Sequence, residues 1–228
     1  MSQGYRWPVD TADDPNRSGS ETGVTGHYFD PSPETESRPS TVDLHLADLS
    51  LRLATDAGVF AAGAVDVGTR ILLAEDPAIR PTSRQLLDIG CGYGPIALTL
   101  ARRAPDAHVW AIDVNERARQ LCATNAVEAG LSNVTVLAPD DVPPELRFDE
   151  IWSNPPIRIG KAALHELLAM WLERLAAGGR ARLVVQKHLG ADSLATWLES
   201  QGWPTTRVAA RRAFRILEVA TREQSESD

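Results

Sequence analysis

The sequence predicts an α/β protein: a mostly parallel sheet covered by helices on both faces and finished by an antiparallel pair of strands. Three observations carry this. From residue 85 onward, short apolar stretches alternate with segments of helical periodicity. A glycine-rich turn, "DIGCGYG", sits at the first strand-to-helix junction of that series. The last two apolar stretches are joined by only "AARR", too short for a right-handed crossover, so they pair antiparallel or lie apart.

The elements follow in order. Residues 1 to 40 hold seven carboxylates and three arginines among Pro, Ser, Thr and Gly, with too few apolar side chains to offset the entropy of ordering. Residues 1–25 therefore read as a flexible acidic tail, and Tyr28 and Phe29 of "GHYFD" as the point where the chain is pinned to the fold. In "TVDLHLADLSLRLATD", Val42, Leu44 and Leu46, then Leu49, Leu51 and Leu53, alternate with polar residues at the strand period, which predicts a hairpin turning near Ala47 and Asp48. "VDVGTRILL" reads as a short helix with Asp66 as N-cap. Residues 26–74 thus form a hairpin and helix packed on a core spanning 75–220, and 221–228 is a polar tail. Within the core, strands are expected near 85–89, 107–112, 133–138, 148–153, 180–187, 205–209 and 213–220, and helices near 94–104, 115–129, 161–177 and 191–201.

Composition narrows the function classes. A chain of 228 residues that is 43% hydrophobic can bury one sizeable core. Its formal charge of -8 argues against coating nucleic acid by bulk charge, while leaving room for local basic patches. Cys91 and Cys122 are the two cysteines and show no metal-ligand spacing, so neither a disulfide framework nor a metal site is expected. No apolar run approaches the roughly 18 residues that span a bilayer. The expectation is a monomeric protein of the reducing cytoplasm, without metal or membrane partner.

The chemistry concentrates at strand ends. In "LLDIGCGYGPIAL" an apolar strand runs into Asp88, then Gly90, Gly92 and Gly94, and a helix follows at once. Such glycines allow a tight turn and close approach of a ligand to the main chain, at the sheet edge where these folds bind ligands. About twenty residues on, "HVWAID" ends in Asp113, placed to accept hydrogen bonds from ribose hydroxyls as an acid does in dinucleotide folds. "NVTVLAPDD" ends in Asp140 and Asp141, within range of an adenine amino group. Three consecutive strand ends supply what an adenosine needs.

"LLDIGCGYG" and "AIDVN" resemble the first two motifs of class I S-adenosylmethionine-dependent methyltransferases. The resemblance implies a Rossmann-like, seven-stranded sheet of order 3-2-1-4-5-7-6 with strand 7 antiparallel. It implies S-adenosyl-L-methionine as cofactor, with Gly90, Gly92 and Gly94 along its methionine part, Asp113 on the ribose and Asp140 near the adenine. It also implies that Asp88 contacts the methionine moiety.

The fourth strand ends in "SNPPIRIGK". In family members that modify an exocyclic or amide nitrogen, Asn-Pro-Pro here is the substrate clamp, which assigns Asn154, Pro155 and Pro156 to catalysis. Such a nitrogen is a poor nucleophile because its lone pair is delocalised. If the Asn154 side-chain oxygen and the Pro155 carbonyl accept its two hydrogens, the lone pair turns toward the methyl group. Proline after Asn154 also keeps the asparagine extended. The following residue is Ile157, where adenine-N6 DNA enzymes and the glutamine methyltransferases of release factors carry an aromatic. "NPPIRIGK", with "LATDAGVFAAGAVDVGTRILL", "VVQKHLGADSL" and "RRAFRILEV", instead resembles the guanine-N2 methyltransferases of the ribosomal RNA small subunit methyltransferase C family in a compact form. That resemblance implies ribosomal RNA or the small ribosomal subunit as partner. Methylation of a protein glutamine amide or of another nucleic-acid amino group, and a non-catalytic RNA-binding assembly factor, are the alternatives.

Residues 157 to 220 contain ten Lys/Arg and five Asp/Glu in an otherwise acidic chain. Arg158, Lys161, Lys187, Arg212 and Arg215, with Ile157, are the expected substrate contacts, since point charges on phosphates position RNA. A solvated basic face is the competing interpretation. Phe60, between glycines, either lines the base or cofactor pocket or packs in the core. His165 and His188 read as structural, Trp171 and Trp197 as core, and Cys91 as a small residue packed under a ligand.

Overall fold

A computed structural model of the chain describes residues 35–75 and 78–222. The expected tail at 1–25, Tyr28, Phe29 and most of the polar C-terminal stretch lie outside the described residues. Leu86 and Leu87 are adjacent and both fully buried, yet they belong to different hydrophobic cores. The same division separates Trp152 from Ile151, Val184 from Leu183, and Ile216 from Leu217. Alternating side chains on strands buried on both faces produce this pattern, and one sheet sandwiched between two helical layers is the result.

The sheet has seven strands in the order β5-β4-β3-β6-β7-β9-β8. These are β3 (Gln85–Ile89), β4 (His108–Ile112), β5 (Val134–Leu137), β6 (Phe148–Ser153), β7 (Leu175–Gln186), β8 (Thr205–Arg211) and β9 (Phe214–Ala220). All neighbours pair parallel except β9, which is antiparallel to both β7 and β8. On one face lie α1 (Val67–Glu75), α2 (Pro95–Arg103) and α3 (Glu116–Glu128), contributing Leu72, Leu100 and Cys122 to the core. On the other lie α4 (Lys161–Leu172) and α5 (Ala191–Ser200), contributing Leu168, Trp171 and Leu198. This is the predicted architecture, with strand 7 of the core antiparallel.

Strands β1 (Ser40–His45) and β2 (Ser50–Thr55) form the expected hairpin, closed by a Leu46 N–H to Leu49 carbonyl bond of 2.9 Å across Ala47 and Asp48. Its apolar set, Val42, Leu44, Leu51 and Leu53, is buried in the core that contains α1 to α3. Asn125 of α3 fastens it: its side-chain oxygen accepts the Ala54 N–H at 2.7 Å, and its Nδ2 donates to the carbonyls of Ala54 at 2.9 Å and Tyr93 at 2.8 Å. One buried amide therefore ties the hairpin to the glycine-rich turn.

Two expectations about elements are corrected. The helix predicted over 161–177 stops at Leu172, and β7 starts at Leu175, which pairs with Phe148 before a bulge in β7, since the next pair is Glu150 with Arg180. Leu172 and Leu175 fit a helical spacing, but the backbone of Gly179 approaches the carbonyls of Ala176 and Phe148 so closely that an added Cβ would stand 2.8 and 2.9 Å from them. Long-range pairing outweighs the local period there. The "AARR" connection is mostly strand: β8 runs to Arg211, and the turn is made by Arg212, at a φ of 51°, and Ala213. Among the described residues no helix is long and apolar enough to cross a membrane.

Candidate active site

Strand β3 has β4 on one side and β6 on the other, so the strand order reverses beside it, and the carboxyl ends of these strands open a crevice. The turn after β3 is moored to the end of β4, since the N–H groups of Gly90 and Cys91 both donate to the Ile112 carbonyl at 2.9 Å. Ser153 joins the third strand by donating from Oγ to the Ile89 carbonyl at 2.8 Å. Three strand ends are thereby locked together.

Gly90 and Gly92 adopt φ of 73° and 56°, and a Cβ added at either would meet nothing within 4 Å. They present bare backbone to open space, as a cradle for a ligand does. Gly94 differs: a Cβ there would stand 2.5 Å from Leu98 and 2.9 Å from the Cys122 sulfur. Its absent side chain makes room for the interior, and it caps α2 at a φ of 100°. Cys91 is buried, and its thiol is pushed up first by contact with Cys122 and then by burial, which suits packing and opposes a nucleophilic thiolate.

Asp88 is fully buried. Its Oδ2 accepts the Ala97 N–H at 2.9 Å, while Oδ1 has no hydrogen-bond partner. Burial raises its carboxyl from 3.8 to about 8, with the neighbouring Asp113 adding to the rise. Asp113 accepts from the Gly92 N–H through Oδ2 and the Asn115 N–H through Oδ1, each at 2.9 Å. Burial raises its carboxyl too, against the N–H groups and the Arg119 guanidinium, which lower it. Each Asp113 oxygen keeps lone-pair capacity beyond these bonds. Asp140 lies exposed in a 3-10 turn over Pro139–Asp141, just after β5.

Asn154 follows β6. Its Nδ2 donates to Asp66 Oδ1 at 2.7 Å and to Thr69 Oγ1 at 3.0 Å, and no donor among the described residues meets its Oδ1. The Pro155 carbonyl accepts the Ile157 N–H at 2.9 Å across Pro156, whose φ of -75° and ψ of 77° make an inverse γ-turn. Proline presets that φ, and the carbonyl retains its second lone pair. Asn154, Asp66, Thr69, Phe60, Gly90 and Gly92 line one cleft, with Tyr93 at its floor. Phe60 is half exposed at 51%.

The expected substrate contacts divide into groups. Ile157 and Lys161 border a cleft of about 130 Å³ on the α4–α5 side, with Val185, Leu189 and Leu194. Arg158 is exposed in the 3-10 turn Ile157–Ile159. Lys187 is exposed at the end of β7, and its N–H bonds to the Ala213 carbonyl, which brings the β8–β9 turn to the same sheet edge. Arg212 on that turn, with Arg70, His45 and the Arg211–Glu75 ion pair of 2.7 Å, rims a groove of about 310 Å³ along α1. Arg215 is not on that rim: it is half-buried, with Nη1 on the Phe214 carbonyl at 2.9 Å and Nε buried without a partner. His165 stacks on Trp197 with ring centroids 3.7 Å apart, a structural placement.

Sequence reading missed Thr69 altogether and treated Asp66 only as a helix cap. The cap is real, since Asp66 Oδ1 accepts the Thr69 N–H at 3.1 Å, but the same oxygen also reaches the site. Among the described residues no group of three or more His, Cys, Asp or Glu could hold a metal ion.

The chain resembles known proteins in sequence and in fold. The chain is 35% identical over 201 residues to the uncharacterized protein YbxB of Bacillus subtilis, covering 86% of this chain and 98% of that one. It is 33% identical over 196 residues to the ribosomal RNA small subunit methyltransferase C of Pseudomonas aeruginosa, covering 79% of this chain and 57% of the relative. With the ribosomal RNA large subunit methyltransferase G of Shewanella amazonensis it shares 31% identity over 173 residues, 71% of this chain and 43% of the other. It thus spans about half the length of these two methyltransferases. The 16S rRNA N2 methyltransferase RsmC of T. thermophilus, solved with AdoMet and guanosine, superposes with a TM-score of 0.71 at 24% identity, over 83% of this chain and 52% of that one. The model of the methyltransferase small domain matches residues 50–218, and the chain belongs to that family.

Proposed function

We propose that this protein is an S-adenosylmethionine-dependent N-methyltransferase that modifies the exocyclic N2 of a guanine in ribosomal RNA, in the small subunit. The observation that carries the reading is that Asn154, at the end of β6, lines one cleft with the open glycines Gly90 and Gly92, on the turn that follows Asp88 and its unpaired Oδ1. A buried carboxyl oxygen without a partner costs free energy unless a ligand satisfies it, and the ammonium group of a bound cofactor would pair with the ionised carboxylate. Asp88, Gly90, Gly92 and Asp113 would hold the cofactor, with Asp140 at the outer end.

S-adenosylmethionine supplies an electrophilic methyl group on a sulfonium, so the chain's task is alignment. Asn154 Oδ1 and the Pro155 carbonyl accept the two N–H hydrogens of the amine, which fixes the nitrogen's orientation and turns its lone pair out of conjugation. A new N–C bond forms as the S–C bond breaks, and the nitrogen then gives up one proton to solvent. Phe60 lines the same cleft and is aromatic, the side-chain type on which bases stack. Arg70, Arg212 and Lys187 on one side and Arg158 and Lys161 on the other offer cations for the flanking phosphates. The recurrence of small-subunit rRNA methyltransferases among the relatives supports the choice of substrate.

The test is methyl transfer from labelled S-adenosylmethionine to rRNA, to small and large ribosomal subunits, and to ribosomal proteins, followed by nucleoside chromatography. Label in N2-methylguanosine from the small subunit is expected. Label confined to protein would replace the substrate class, and label in large-subunit RNA would move the target.

A further inference from the structure

The amide of Asn154 has two ends, and the clamp works only if the oxygen faces the substrate. With Nδ2 turned outward, the site would present donors to a group that is itself a donor. We infer that Asp66 and Thr69 set this orientation and are positioning residues of the reaction. The inference rests on the clamp reading above.

The Asp66 carboxylate is acceptor-only, and it lies 2.7 Å from the amide. An amide oxygen at that distance would face a negative charge, so only Nδ2 fits there. Thr69 Oγ1, in a side chain that is 4% exposed, takes the second contact at 3.0 Å. Two acceptors for two hydrogens saturate Nδ2, and Oδ1 is left as the free pole of the amide. A charged acceptor on the N–H side also polarises the amide and raises the acceptor strength of its oxygen. Asp66 caps α1 and Thr69 lies in its first turn, and the Thr69 N–H donates to Asp66 Oδ1 at 3.1 Å. Helix capping and clamp orientation therefore share one oxygen atom.

The sharing suggests the variants. Asp66→Ser keeps a capping side chain but is too short to reach Asn154, so α1 persists while the amide is released. Asp66→Asn keeps an acceptor at the same length without the charge, and Thr69→Val removes one acceptor at constant shape. Expected are a fall in kcat of about 100-fold for Asp66→Ser, about 10-fold for Asp66→Asn and about 5-fold for Thr69→Val, with cofactor Kd unchanged. Wild-type kcat in Asp66→Ser, with active wild-type enzyme, overturns the positioning role.

A second readout needs no turnover. In 15N-labelled protein the Asn154 side-chain amide, identified by its loss in Asn154→Ala, should exchange with solvent slowly in the wild type and quickly in Asp66→Ser. Fast exchange in the wild type overturns the inference whatever the substrate. Slow exchange that Asp66→Ser abolishes, in a protein transferring no methyl group to rRNA, supports the orientation and sinks the rRNA reading instead.

Discussion

Glu150 and Asp88 are both fully buried, and they lie two positions apart in the register of β6 and β3, where Glu150 pairs with Leu86 and Asp88 with Trp152. Their surroundings differ completely. Glu150 accepts from the Arg80 N–H at 2.7 Å, the Ser83 hydroxyl at 2.9 Å, the Trp152 indole at 3.2 Å and the Arg180 guanidinium at 3.2 Å. Asp88 accepts one backbone N–H and leaves an oxygen without a partner. A saturated buried acid belongs to the architecture. An unsaturated one at the foot of a turn with open glycines is, in the function proposed above, where a ligand would complete the protein.

The comparison can be broken at several points. The largest effect is expected outside both acids: Asn154→Ala should lower kcat by about 10³-fold or more, since orientation of the amine is lost, while cofactor Kd stays within about twofold. Comparable losses in both quantities would make Asn154 part of the cofactor pocket. Next comes Glu150→Ala, which leaves three donors without their acceptor and takes the buried carboxylate from Arg180, leaving it Glu218 at 3.5 Å and the Ala78 carbonyl at 2.7 Å. It should cost about 3–5 kcal/mol in chemical denaturation, with turnover per folded molecule unchanged. A small stability loss would erase the distinction between the two acids.

Asp113→Ala should weaken cofactor binding by about 10- to 100-fold in calorimetry, from the loss of charge-assisted hydrogen bonds worth about 1.5–3 kcal/mol. Unchanged affinity would remove Asp113 from the cofactor site. A further effect concerns pH. With the Asp88 carboxyl raised from 3.8 to about 8, the folded cofactor-free protein holds a proton that the unfolded chain releases. The contribution of this group to stability is therefore full below its unfolded value and declines as pH rises toward about 8. Asp88→Asn should remove that decline, so its Tm advantage over the wild type should grow with pH. A constant Tm difference across the range would show that Asp88 finds a partner without ligand. Smallest of all, Arg212→Ala should weaken RNA binding a few-fold and reduce the slope of log Kd against log salt by about one.

How far the sequence revealed this site depended on the range of each interaction. The turn glycines and Asp88, Asp113 and Asn154 stand at the ends of short apolar strands, and strand ends are local features. Gly94 looked like its neighbours in the motif, yet its space is filled by Leu98 and Cys122, the latter on a different helix. Asp66 and Asn154 are 88 residues apart, and nothing local to either announces the bond between them. Arg215 and Arg212 were indistinguishable as basic residues of one segment. Burial separates them, because β9 turns one toward the sheet while the turn holds the other outside.

The sequence by itself determined which segments become strands and helices, that the sheet is buried on both faces, and that glycines and acids collect at its carboxyl edge. Those properties follow from periodicities of two and 3.6 and from single-residue backbone preferences. Only the tertiary structure decided where α4 gives way to β7, which acid has its partners, and which way the Asn154 amide faces. Each of these turns on contacts between segments distant in the chain, whose geometry is set when the sheet, α1 and the hairpin pack together.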